Sequence, residues 1–130
     1  MGAIRRPSTL LGVAVSLPAG LQMAIEASRP AQDTLRRHRV GSVALRRDGT
    51  FVRARNGSSA QKEQSAHAEY RVLRKAGLYS ILYVARVKRD GSCGLALPCN
   101  ACMLAIMRAR VTLVYFTTGE GATAWATLEL

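Results

Sequence analysis

Two short clusters, Ser65-Ala66-His67-Ala68-Glu69 and Leu97-Pro98-Cys99-Asn100-Ala101-Cys102, hold one of the two histidines and two of the three cysteines in the chain. Each reads as the start of a helix. Ser65 suits the cap of a helix carrying Ala66 to Lys75, and Pro98, with its fixed φ and missing N–H, suits the opening turn of another that runs through Arg110. Cys99 and Cys102, three apart, then share one helix face. If the clusters act together, the fold must bring two helix N-termini to one place.

One imidazole and two thiolates are donors suited to divalent zinc, which favours nitrogen and sulfur ligands in a tetrahedron. Three protein ligands, His67, Cys99 and Cys102, leave the fourth position to a water, whose pKa zinc lowers toward ~7. The positive end of the helix dipole favours a thiolate there. Glu69 is the candidate proton carrier. It lies about 200° around an ideal helix from His67, so both side chains meet one water only if His67 stands at the very start of the helix. Cys93 could close the site as a fourth ligand, but it reads better as a buried or loop thiol.

The pattern His-x-Glu followed by Pro-Cys-x-x-Cys is the signature of zinc-dependent nucleobase deaminases. Over roughly residues 20–130 the chain resembles the cytidine/deoxycytidylate deaminase superfamily. The resemblance implies a zinc cofactor, Glu69 as the catalytic residue, and Asn56 and Ala68 as substrate contacts, Asn56 reaching the sugar. It implies hydrolytic conversion of cytosine to uracil in a nucleoside or nucleotide. Two alternatives stand beside it: deamination of cytosine in single-stranded DNA or RNA, and a non-catalytic zinc domain that binds nucleic acid. The sequence departs from the family pattern twice. Ser58 stands where free-nucleoside enzymes place a glutamate for the ribose, and Gly94-Leu95-Ala96-Leu97 is apolar where many relatives carry a hydroxyl or a charge. Small relatives commonly build their pockets with neighbouring subunits, so a homo-oligomer is expected.

At 130 residues the chain fits one domain, expected over 20–130, with 1–19 as an extension. No apolar run is long enough to span a bilayer. Arg5-Arg6 ahead of an apolar stretch only loosely imitates a secretory signal, and Met-Gly lacks the Ser or Thr of a myristoylation site. Three cysteines without a disulfide framework suit a reducing, cytoplasmic setting. A formal net charge of +11 attracts phosphate, on a nucleotide or a polynucleotide. Sixteen of the nineteen basic residues are Arg, which base-composition bias would also give.

Along the chain, Gly20 to Ser28 carries apolar residues at helical spacing, ended by Pro30. Val40 to Arg46 and Phe51 to Arg55 flank Asp48-Gly49 and predict a β-hairpin. His38, just before it, reads as a solvated surface residue. The motif helix ends at Gly77; Ser80 to Arg89 is a buried strand; the cysteine helix buries Met103 and Ile106. Val111 to Thr117 and Ala122 to Leu130 are strands with a link too short for a crossover helix, so they run antiparallel. Trp125 reads as core. The order implies an α/β, three-layer, cytidine-deaminase-like fold: a five-stranded mixed sheet with helices on both faces.

Overall fold

In the computed structural model, residues 2–7, 16–28, 39–56, 67–121 and 123–130 are described. The hairpin forms as the sequence predicts. Strand β2 (Arg39–Leu45) and strand β3 (Phe51–Arg55) pair antiparallel, Leu45 opposite Phe51. Their turn is closed by the Asp48 carboxylate, which accepts from the Thr50 N–H at 2.9 Å and from its hydroxyl at 2.6 Å. Gly49 takes the positive φ of 88° that the turn needs and that a Cβ would disfavour.

Strand β4 (Ile81–Val87) pairs antiparallel with β2 and parallel with β6 (Leu113–Thr117), which pairs antiparallel with β7 (Trp125–Glu129). The expectation of five strands is corrected to seven. Strand β1 (Ala3–Arg5) lies against β7, and the two-residue β5 (Cys93–Gly94) lies against the end of β4. The order across the sheet is β1-β7-β6-β4-β2-β3, with β5 beside β4. Strands of two and three residues are too short to display an alternating pattern, so nothing in the sequence announces them.

Helix α1 (Ala19–Ala27) covers one face, where Leu21 and Ala24 pack with Val43, Tyr83 and Ala85. Gly41 makes this close approach possible, because a Cβ there would overlap the Ala24 carbonyl. Helices α2 (Ala68–Ala76) and α3 (Asn100–Arg108) cover the other face, where Val72, Ala76 and Ile106 pack with Ala44, Leu82, Val84, Val114 and Phe116. Alternate residues along each strand therefore serve two cores, the arrangement expected of a sheet with helices on both sides. Trp125 is half-buried, its ring tilted against that of Tyr115 with centres 5.7 Å apart, so it belongs to the α1 side of the core.

Both motif helices start later than the sequence suggests. His67 is the N-cap of α2, and Cys99 the N-cap of α3, with Pro98 just outside. Ser65, Ser58, His38 and Pro30 lie outside the described residues. Among the described residues, no helix is long and apolar enough to cross a membrane.

Candidate metal centre

The two N-caps set the geometry of the site. As a cap, His67 has extended backbone angles, and its carbonyl accepts the Arg71 N–H at 3.0 Å. Cys99 repeats the pattern: its carbonyl accepts from the Met103 N–H at 2.8 Å, and its sulfur accepts from the Cys102 N–H at 3.5 Å. A thiolate is the form that would accept most strongly there, facing unpaired N–H groups and the positive end of the helix dipole. Cys102, one turn on, is fully buried and points back to the same place.

His67 Nδ1 sits 3.3 Å from Cys102 Sγ and 3.8 Å from Cys99 Sγ. The three donor atoms all lie within 4.8 Å of one another. A tetrahedral zinc with bonds of ~2.0 Å to nitrogen and ~2.3 Å to sulfur would hold N and S about 3.5 Å apart, so the donor set fits that ion in chemistry and in spacing. Cys93 is buried in β5 and is not one of this group. Among the described residues the group has three members, which leaves a tetrahedral ion one position for a non-protein ligand.

Glu69 stands in the first turn of α2 and is 7% exposed. Burial pushes its carboxyl above the usual carboxylate range, against the opposing pull of its own backbone N–H and of His67. Burial also raises the Cys102 thiol, and the Glu69 charge raises it further. Such a thiol is neutral without metal, so binding a cation there displaces a proton.

Ala68, between ligand and carboxyl, is tied down from the sheet. The Ser42 hydroxyl on β2 donates to the Ala68 carbonyl at 2.6 Å, with both residues fully buried. Neither the spacing nor the composition of β2 singles out Ser42, because a lone serine in an apolar strand carries no signature. Asn56, at the end of β3, is locked to the start of β2: its N–H donates to the Val40 carbonyl at 3.0 Å and its Oδ1 accepts the Val40 N–H at 3.1 Å. Asn56 thus prolongs the hairpin by one residue at the end of the sheet that faces α2. Thr117, buried in β6, fixes the approach to Cys99, its hydroxyl donating to the Gly94 carbonyl at 2.7 Å and its own carbonyl accepting the Ala96 N–H at 2.9 Å.

The family model describing the cytidine and deoxycytidylate deaminase zinc-binding region matches residues 17–118. A crystal structure of cytidine deaminase from Mycobacterium tuberculosis aligns with a TM-score of 0.50 at 23% identity, over 72% of this chain and 76% of that one. A Glu-to-Gln mutant of that organism's cytidine deaminase aligns at 0.51 and 21% identity, over 78% and 84%. A comparison with curated proteins gives no match. At such identities the two structures bear on the fold, and the family model bears on the site. Its zinc is the ion that His67, Cys99 and Cys102 are placed to hold, and a chain matched over most of its length belongs to the cytidine and deoxycytidylate deaminase zinc-binding family.

Proposed function

We propose that this protein hydrolytically deaminates cytosine to uracil in a nucleoside or nucleotide. The observation that carries the proposal is a buried carboxyl, Glu69, in the first turn of the helix capped by His67, itself one of three His/Cys/Cys donors that leave a tetrahedral ion one position to spare. Bound there, zinc supplies a Lewis acid that makes a water nucleophilic near neutral pH. The chain's own residues do the rest. Glu69 would take a proton from the attacking water and pass it to ring N3, then carry the proton of the new C4 hydroxyl to the amine, which departs as ammonia. The Ala68 carbonyl is engaged by Ser42, so a ring carbonyl oxygen is met by the Ala68 N–H, which the helix start leaves without an intrahelical partner. A sugar hydroxyl would be met by the Asn56 side chain, which the bond from the Val40 N–H holds in place at the end of β3.

Glu69→Gln keeps shape and removes the proton carrier. Turnover of cytidine should fall by about 10²–10⁴-fold or more, with zinc content unchanged. Near-normal turnover in that variant would defeat the assignment. A non-catalytic zinc domain would need a fourth protein ligand, and the described residues bring three together.

A further inference from the structure

The exposed rim of the sheet beside α2 is rich in cations. Arg53 and Arg55 of β3, Arg71, Arg74 and Lys75 of α2, and Arg47 of the hairpin turn are all exposed. Two of them lean over the edge strand. Arg71 donates from Nη1 to the Arg55 carbonyl at 2.8 Å, and Lys75 donates from Nζ to the Arg53 carbonyl at 3.0 Å. Arg46 closes the far end by donating to the Lys75 carbonyl. Arg71 and Lys75 are therefore held along α2, which its rise makes about 13 Å long, while Arg53 and Arg55, opposite Val43 and Gly41, project on the α1 side of the same edge strand, so cations flank this edge from both faces. One end reaches Asn56 and His67.

Among the described residues these elements carry two acids, Asp48 and Glu69. Among the described residues the ion pairs are Arg5–Glu129 and Arg6–Glu120, both at the β1/β7 side of the sheet. Of the acids on these elements, Asp48 is occupied by Thr50, and Glu69 is buried. Each rim cation that bonds a carbonyl spends one donor of several, so the rest face solvent. Like charges gathered along one edge repel one another, and a bound anion relieves that repulsion.

Aromatic planes lie among the cations. The Arg47 guanidinium sits 5.1 Å from the ring centre of Tyr79, and that of Arg74 sits 5.9 Å from the ring centre of Tyr70. Tyr79 is 55% exposed and held at φ 65°, a backbone state that a tyrosine rarely adopts, with its N–H on the Ala109 carbonyl at 3.0 Å. Cations spaced along an edge, with exposed rings at hand, suit a partner with regular negative charge and flat unpaired bases. A duplex hides those bases. A lipid surface calls for an outward apolar stripe, whereas α2 turns Arg71, Arg74 and Lys75 outward and buries Val72 and Ala76.

We propose that this rim binds the backbone of single-stranded nucleic acid, with phosphates on Arg53, Arg55, Arg71 and Lys75 and a base on the Tyr79 ring. The binding goes beyond the deaminase reading and does not depend on it. Only its corollary does: a strand laid along the rim would bring a base toward the metal centre.

The test is fluorescence anisotropy of the zinc-loaded full chain with a labelled oligodeoxyadenylate of about fifteen nucleotides, a length within the usual site sizes. This probe contains no cytosine, so a failed deaminase assignment leaves the result readable, and Glu69→Gln should bind equally well. Four phosphate contacts predict a log–log salt slope of about −3. Arg53→Gln with Arg55→Gln should weaken binding roughly tenfold and shrink that slope by about one and a half. Arg5→Gln with Arg6→Gln removes the same charge from the far edge and should change affinity by less than about twofold. Tyr79→Asn, which tolerates the positive φ, should lose about fivefold or more. Equal weakening by both arginine pairs would overturn the proposal. So would duplex binding as tight as single-strand binding, or capture by phosphatidylserine vesicles without capture of the oligonucleotide.

Discussion

At the scale of single residues, the hydrogen bond from Ser42 to Ala68 fixes the peptide that separates a metal ligand from the carboxyl proposed to move protons. Removing the hydroxyl costs about 1 kcal/mol of stability, since a buried carbonyl loses its second partner. Its effect on turnover should be larger, because the first turn of α2 carries both groups. Ser42→Ala is expected to lower kcat by about one to two orders of magnitude with zinc content unchanged. Steady-state kinetics beside metal analysis checks this; full activity with lowered Tm would mean that Ser42 is merely structural. His67, Cys99 and Cys102 were legible in the sequence because few residue types can hold zinc and their spacing fits two helix starts. Ser42 and Thr117 were not, since a buried hydroxyl bonded to a distant backbone looks like any other serine or threonine. The bond from the Val40 N–H that orients the Asn56 side chain needed the fold as well.

At the scale of elements, α1 lies so close to β2 that position 41 has no room for a side chain. The offending neighbour is backbone, which cannot swing aside. Gly41→Ala should therefore destabilise by about 1–3 kcal/mol and lower Tm by about 5–10 °C, read by thermal melting with the metal site loaded. An unchanged Tm would show that α1 can slide. The hairpin, both motif helices and the last two antiparallel strands could be read from turn chemistry, apolar period and link length. The starts of α2 and α3 shifted because the ligands themselves serve as caps, a role usually given to serine, threonine, aspartate or asparagine.

At the scale of the whole molecule, the metal joins helices that lie far apart in sequence, so its removal should loosen one face of the sheet. At a zinc concentration about a thousandfold above Kd, binding adds about 4 kcal/mol. Chelation should then lower Tm by roughly 15 °C, reversibly on adding zinc back. An unmoved Tm would argue against a bound ion. Acid acts elsewhere. Asp48 and Asp90 are held below the usual carboxylate range by hydrogen bonds from Thr50 and Ser92, and Glu120 by its hydrogen bond from Arg6. Carboxyls with lowered folded pKa stabilise above their ordinary values, and that contribution disappears as pH falls through the folded ones. Melting temperature should thus decline below about pH 4–5, and Asp48→Asn with Asp90→Asn should flatten the decline. A mutant curve as steep as the wild type would assign the acid limb to other groups.

The three residues of β1 act as a shutter over β7. Removing residues 1–16 alone would leave β7 with an open row of amides and carbonyls, ready to be completed by another molecule. Such a trimmed protein should self-associate as it is concentrated, visible by light scattering, even with its zinc in place.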